Sequence, residues 1–371
     1  MSVRRIFIIA GEASGDLHAA GLIRALKKLQ PELEIAGWGG DMMEEAGCHI
    51  YKHYRELAFM GFVEVLANIT TIFANFKSIK EQIRTFNPDS IIFIDYPGFN
   101  MRLLPWAKKS GYLTIYYISP QVWAWHKRRA LTLKKYVDDM LVILPFEPDF
   151  FAQYGMEAHY VGHPLLDVIQ PNQTDPSFFS EYNLNPEIPL VALLPGSRRQ
   201  EISTLLPVMQ QFAMSRQDLQ FVVAAAPSQD LSFYQSVCPD MRGLTFIQGR
   251  TYDLLAHADF ALVASGTATL ETALFNVPQL VLYKGNPISY LIAKRLIRVK
   301  YISLVNLLLD RPLIKELIQD EMNLENIQGA FQSLENKEDL ARIKSGYQEL
   351  KSILGGDGAA ERAAKYILEH G

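Results

Sequence analysis

Cysteine is scarce in this chain. Cys48 and Cys238 are the only two in 371 residues, and they form no C-x-x-C pair. That excludes a disulfide framework and a thiolate zinc site, and it fits a reducing, cytoplasmic compartment. There is no surplus of positive charge: 36 Lys and Arg stand against 40 Asp and Glu, for a net charge of -4. The basic domain or stripe that general nucleic-acid binding needs is therefore missing, and no nucleic acid is expected as a partner. No long apolar run occurs. Ile6 to Ala10 is too short for the core of a signal peptide. The most hydrophobic window, Leu57 to Phe76, is interrupted by Glu64, Asn68 and Asn75, so no membrane-spanning helix is predicted. G-x-G-x-x-G is absent, which disfavours an NAD oxidoreductase. Asp-x-Asp, the usual carboxylate pair for a metal on a nucleotide diphosphate, is also absent. His49 with His53 and His159 with His163 have i, i+4 spacing but no third ligand. Metal-independent chemistry without a cofactor is the expectation.

What is present is ordinary globular composition, with 49% apolar and 20% charged residues. At 371 residues the chain exceeds the roughly 250–300 over which one core keeps growing, so two domains are expected. Short β-branched runs alternate with segments of helical period, the pattern of a parallel sheet with crossover helices. The strand candidates are Arg5 to Ala10, Glu34 to Ala36, Ser90 to Ile94, Leu113 to Ile118 and Met140 to Leu144, and the series restarts with Leu190 to Leu194, Gln220 to Ala225, Leu244 to Ile247, Phe260 to Ala264 and Gln279 to Tyr283. The stretch Gln170 to Pro189, with four prolines, reads as a connection. The predicted fold class is α/β, with two Rossmann-like doubly wound domains facing a central cleft. Residues 1–165 form the first domain and 166–350 the second. Gly355-Gly356-Asp357-Gly358 then sets off a last helix within 351–371 that packs away from its predecessor and returns to the first domain.

In such sheets ligands bind outside the carboxyl ends of the strands, so the loops there carry the chemistry. The first strand runs into Gly11-Glu12-Ala13-Ser14-Gly15-Asp16, a glycine-rich turn suited to an anion or sugar, or simply a turn capped by Ser14 or Asp16. Gly37-Trp38-Gly39-Gly40 reads as a tight turn. The third strand delivers Asp95 beside apolar walls, in the position of a general base or of a helix cap. Ser119 to Arg129 combines indoles with cations, fitting sugars and phosphates or a solvated helix face. In the second half, Pro195-Gly196-Ser197-Arg198 and Ser265-Gly266-Thr267-Ala268 each open a helix after a strand. Small residues, free N–H groups and the Arg198 fork suit a diphosphate. Glu271, about a turn into the second of these helices, can accept both ribose hydroxyls.

The ordered set GEASGD, FMGFVEVL, DYPGFN, YYISPQVWAW, LPFEPDFF, VGHPL, LLPGSRRQEI, ASGTATLE and SLVN, spanning residues 6 to 307, closely resembles the lipid A disaccharide synthases. The resemblance implies the GT-B glycosyltransferase fold. It implies transfer of 2,3-diacylglucosamine from UDP to the 6-hydroxyl of 2,3-diacylglucosamine 1-phosphate, with inversion, at the cytoplasmic face of the inner membrane. By the same resemblance Asp95 is the base; Gly196, Ser197, Arg198, Ser265, Gly266, Thr267, Ala268, Glu271 and Asn306 hold the UDP donor; and Glu12, Ser14, Asp16 and Gln121 face the acceptor sugar. In the segment Ser303-Leu304-Val305-Asn306, Val305 stands where the family pattern has proline, which puts the placement of Asn306 at issue.

Phe59, Met60, Phe62, Val63 and Leu66 form an apolar cluster suited to acyl chains or a membrane surface, or to a plain core helix. Tyr290 to Tyr301 is a second, basic amphipathic stretch. Together with the cations near Lys127 these segments predict peripheral attachment to an anionic membrane, and a homo-oligomer is left open. The rival assignments are a GT-B transferase acting on a lipid-linked peptidoglycan precursor, a UDP-sugar epimerase, and a UDP-sugar binding protein without turnover.

Overall fold

The computed structural model describes residues 4–57, 69–125, 128–169, 174–285 and 300–370. The apolar cluster Phe59 to Leu66 and most of Tyr290 to Tyr301 lie outside the described residues, as does Lys127. The chain divides into two compact units, one of Met1–Asp167 with Leu354–Gly371 and the other of Val168–Ile353.

The first unit is built on seven parallel strands: β1 (Arg5–Ala10), β2 (Glu34–Gly39), β3 (His49–His53), β4 (Ser90–Ile94), β5 (Leu113–Tyr117), β6 (Asp139–Val142) and β7 (His159–Tyr160). Their order is β3-β2-β1-β4-β5-β6-β7. Because side chains alternate along a strand, β1 and β4 feed two cores at once. Phe7, Ile9, Ile91 and Phe93 pack under helices Ile69–Phe86, Pro97–Lys109 and Arg128–Tyr136, through residues such as Ile79, Leu103 and Leu133. On the opposite face Ile6, Ile8, Ile92 and Ile94 meet helix Ala13–Leu29 and helix Ala359–His370, the latter through Ala363, Ala364 and Ile367.

Helix Ala359–His370 is fastened at both ends. Asp167 accepts the N–H groups of Gly358, Ala359 and Ala360, an N-terminal cap supplied from 191 to 193 residues away in sequence rather than locally. Arg362 donates to the carbonyls of Val161, Gly356 and Asp357, and Arg4 to those of Ile367 and Leu368.

The second unit holds six parallel strands: β8 (Leu190–Leu194), β9 (Gln220–Ala225), β10 (Thr245–Gln248), β11 (Phe260–Ala264), β12 (Gln279–Tyr283) and β13 (Glu316–Ile318), in the order β10-β9-β8-β11-β12-β13. The interior strands match the sequence expectation closely. The three strands that it omitted, β3, β7 and β13, all lie at sheet edges. They read HIYKH, HY and ELI, too short or too polar to stand out. Their discovery also explains the histidine spacing, since His49, His53 and His159 are strand residues rather than helical neighbours. Gly37-Trp38-Gly39 corrects the tight-turn expectation, because these residues continue β2. A Cβ on Gly37 would stand 1.9 Å from the carbonyl oxygen of Ile8, so glycine is required for β2 to approach β1.

Candidate active site

Strand order reverses direction between β1 and β4 in the first sheet and between β8 and β11 in the second. Loops leaving such a pair diverge and open a crevice. At the first switch point the register Ala10↔Ile94 sets Gly11-Glu12 beside Asp95-Tyr96. Tyr96 lies against the turn from the other side: a Cβ on Gly11 would fall 2.2 Å from its ring. Burial raises the Tyr96 hydroxyl pKa, and the neighbouring Glu12 carboxylate raises it further.

The helix Pro97–Lys109 begins after Tyr96, which holds the N-cap position in a left-handed conformation (φ 46°, ψ 55°). Asp95 therefore stands one residue before the N-cap position. Gln121 is exposed just past β5, the next strand. Glu12, Asp95 and Gln121 thus follow three adjacent strands, with Ser14 exposed in the first turn of helix Ala13–Leu29, where Glu12 rather than Ser14 or Asp16 is the N-cap residue.

Asp16 departs from its expected place facing a sugar. It is 3% exposed, and its oxygens accept the N–H groups of Gly40, Met42 and Met43 at 2.7, 3.2 and 3.1 Å. It clasps the start of helix Asp41–Glu45 from the neighbouring loop. Burial raises its pKa, opposed by those three bonds.

A second buried acid was invisible as a functional group in the sequence. Glu147, from LPFEPDFF, is 1% exposed, accepts the hydroxyl of Ser119 and takes the N–H groups of Ile143 and Leu144 at 3.2 and 2.9 Å. It ties the SPQVWAW loop after β5 to the end of β6, and burial pushes its carboxyl up to about 7. His163 of VGHPL and His18 are likewise buried, and desolvation holds them neutral with pKa values of about 3 and about 4.

At the second switch point the register Val263↔Leu194 sets Pro195 to Arg198 beside Ser265 to Thr267. Gly196 has φ +99°, and a Cβ there would meet the Glu201 carboxylate at 2.4 Å. Arg198 is the N-cap residue of helix Arg199–Ser215; its guanidinium lies 3.2 Å from Glu201 and remains half exposed. Gly266 caps helix Thr267–Leu274, leaving Gly266 and Thr267 exposed and Ala268 half-buried beside them. The two helix N-termini therefore open from neighbouring strands, an arrangement that favours a bound anion. Glu271 receives the hydroxyl of Tyr252 at 2.8 Å, while burial raises its pKa. Tyr252, on helix Thr251–His257, had no local sequence signal.

Asn306 is the clearest correction. It is 1% exposed, and its amide is taken up by protein: Nδ2 donates to the Ile314 carbonyl and to Glu316 at 2.8 and 2.9 Å, while Oδ1 accepts Ile314 N–H at 3.0 Å. Its expected contact with UDP gives way to support of a loop. Glu316 also collects Ile302 N–H and both donors of Ser303, and the Ile302 carbonyl accepts the Ser265 hydroxyl at 2.9 Å. Asn306 thus reaches the anion loop through Glu316 and Ser265. Ser303 Oγ caps helix Leu304–Leu309 by accepting Asn306 N–H, so Asn306 is placed without a proline at Val305. Among the described residues no cluster of three or more His, Cys, Asp or Glu is arranged to hold a metal.

Two parallel α/β sheets, each with loops gathered at its switch point, define a class that the solved structures make concrete. The chain matches the UDP-GlcNAc 2-epimerase of Neisseria meningitidis with a TM-score of 0.70 at 11% identity, covering 99% of this chain and 100% of that one. It matches CalG4, the calicheamicin glycosyltransferase, with a TM-score of 0.61 at 17% identity, covering 100% and 98%. The fold is that of GT-B glycosyltransferases and epimerases. The family model described as lipid-A-disaccharide synthetase matches residues 6–369. The lipid-A-disaccharide synthase of Syntrophus aciditrophicus is 41% identical over 99% of this chain and 98% of its own, and that of Geobacter sulfurreducens 39% identical over 98% and 97%. The chain belongs to the lipid-A-disaccharide synthetase family and is a glycosyltransferase.

Proposed function

We propose that the chain joins a 2,3-diacylglucosamine unit, delivered on UDP, to the 6-hydroxyl of 2,3-diacylglucosamine 1-phosphate, giving the β-1,6-linked disaccharide 1-phosphate and UDP. The observation that carries this reading is the segregation of charge between the two switch points. The loops after β1 and β4 carry Glu12 and Asp95 and no cationic residue, whereas the loop after β8 carries Arg198, half exposed although it pairs with Glu201, beside the helix start at Gly266 and Thr267 that follows β11. An inverting displacement needs both kinds of site. Asp95 takes the proton of the acceptor hydroxyl as its oxygen bonds to the anomeric carbon. The bond to the β-phosphate oxygen breaks, and its electron pair leaves with UDP. Arg198, Ser197, Gly266 and Thr267 stabilise that charge, a preorganised role in which losing one donor typically costs about 2.7–4 kcal/mol. Glu271 accepts the ribose hydroxyls. Glu12, Ser14 and Gln121 border the acceptor. Residues 1–165 with the last helix serve the acceptor, and 166–350 serve the donor.

The acceptor and donor are lipids, and peripheral attachment to the cytoplasmic face of an anionic membrane belongs to the same proposal. No described helix is long and apolar enough to cross a membrane. Helices Ile69–Phe86, Pro97–Lys109 and Arg128–Tyr136 cover one face of the first sheet, and they carry exposed Lys77, Arg84, Arg129, Lys134 and Lys135 outward, with Lys80 and Arg84 over the Trp106 ring. Phe73 on the same layer is 69% exposed. Cations and aromatic rings together suit an anionic headgroup region.

The decisive experiment supplies UDP-diacylglucosamine with diacylglucosamine 1-phosphate and identifies products by mass spectrometry. A disaccharide phosphate is expected. Epimerised UDP-sugar, or binding without turnover, would refute the reading.

A further inference from the structure

The carboxylate proposed as base rides on backbone that side chains rarely adopt. Asp95 and Tyr96 have φ of +40° and +46°, and Ile118, just past the end of β5, has φ of +64°. A β-branched residue at positive φ is an outlier, and consecutive left-handed residues persist only where their surroundings over-determine them. Proline at position 97 opposes the conformation further, since it drives the preceding residue toward extended backbone.

The surroundings that enforce it converge on one peptide group. The Asp95 carbonyl belongs to the peptide linking the two left-handed residues, and any relaxation to extended backbone must rotate it. Tyr116, fully buried in β5, donates its hydroxyl to that oxygen at 2.6 Å. Asn100, also fully buried, donates Nδ2 to it at 2.9 Å and to the Ile94 carbonyl at 3.2 Å. On the other side of the residue, Asp95 N–H is shared between the carbonyls of Tyr117 and Ile118 at 3.4 and 3.3 Å. The Tyr116 ring stacks against Phe93 in the core, so the donor stands on a rigid support.

We propose that Tyr116 is a positioning residue for the transfer reaction, its hydroxyl locking the 95–96 peptide so that Asp95 is held where it can take the acceptor proton. The inference rests on the assignment of Asp95 as base. Asn100 shares the task, and the final residue of DYPGFN acquires a reason: its amide is the second donor to the same oxygen.

Tyr116→Phe keeps the ring packing and removes only the donor. In the full-length enzyme kcat should fall by about 10- to 100-fold, the effect of a small misplacement at a reacting centre, with KM for both substrates and UDP affinity unchanged. In a double-mutant cycle, Tyr116→Phe should cost nothing more once Asp95→Asn is present, because it acts only through that carboxylate. A residue that merely supported the fold would lower the melting temperature and leave kcat per folded molecule intact. Native kcat in Tyr116→Phe, or losses that multiply in the double variant, would overturn the proposal. Near-native turnover in Asp95→Asn would remove the base assignment and this inference with it, whereas an inactive Asp95→Asn beside a normal Tyr116→Phe rejects this inference alone. Should Tyr116→Phe not fold, Asn100→Leu, of similar volume and without a hydrogen-bonding group, removes the other donor and should show the same kcat loss at constant KM; native kcat there overturns the proposal equally.

Discussion

Glu147 offers a test of the buried network beneath the SPQVWAW loop. Burial holds its carboxyl at about 7, against 4.5 when free. Between those two values the folded chain binds a proton that the unfolded chain has released. Stability must therefore fall as pH rises from the lower value to the upper, and level off beyond it. At about 1.4 kcal/mol per pH interval, the loss approaches ~3 kcal/mol. Glu147→Gln removes the titration and keeps the bonds. One amide oxygen can accept both Ile143 and Leu144 N–H, and the amide nitrogen can donate to Ser119 Oγ. The hydroxyl then turns toward the Pro120 carbonyl, already 3.3 Å away. All four tryptophans, Trp38, Trp106, Trp123 and Trp125, belong to the first unit, so urea unfolding followed by their fluorescence reports on that unit. The Gln variant should match or trail the native chain at pH 5 and gain on it by up to about 3 kcal/mol at pH 8.5. Parallel stability profiles across that range would refute the reasoning.

Three further outcomes are expected. Tyr252→Phe removes the donor that fixes Glu271 and should weaken UDP binding by about 5- to 10-fold, the worth of one ordinary hydrogen bond, read by calorimetry; unchanged affinity would detach Glu271 from the ribose. Gly11→Ala places a methyl group 2.2 Å from the Tyr96 ring, so turnover should drop by at least about tenfold as the Asp95-Tyr96 turn is displaced, and native turnover would show that the turn yields freely. Enzyme treated with a chelator should retain full activity, and activity restored only by magnesium would contradict the role given to Arg198 and the helix termini.

The interior strands were legible because a strand buried on both faces is a nearly continuous apolar run, as in Ser90–Ile94 or Leu190–Leu194. Loops following such strands could be picked out for the same reason, and Asp95, Arg198 and Glu271 became candidates that way. The edge strands β3, β7 and β13 escaped because one side faces less of the core and admits polar residues, whereas β10, also at an edge, kept enough apolar residues to be read as Leu244 to Ile247. The supporting partners escaped for a different reason. Asp16 meets Gly40, Tyr252 meets Glu271, and Asn306 meets Glu316, pairs separated by 24, 19 and 10 residues with no repeating spacing between them. Only the folded loops bring them together. The carboxylate of Asp16 illustrates the cost of that blindness: a chemically suggestive residue at a loop beside the site proved to be committed to backbone.

The clasp around helix Ala359–His370 bears on how the chain is made. Ala363, Ala364 and Ile367 complete a core whose other members come from β1, β4 and helix Ala13–Leu29, yet they are translated only after the whole second unit. During synthesis the first unit must wait with that face uncovered while roughly 190 residues emerge, at about 5–20 residues per second, an interval of some tens of seconds at the slower rate. Its apolar helix surface is then a natural substrate for ribosome-associated chaperones. The second unit, continuous in sequence from Val168 to Ile353, faces no such delay.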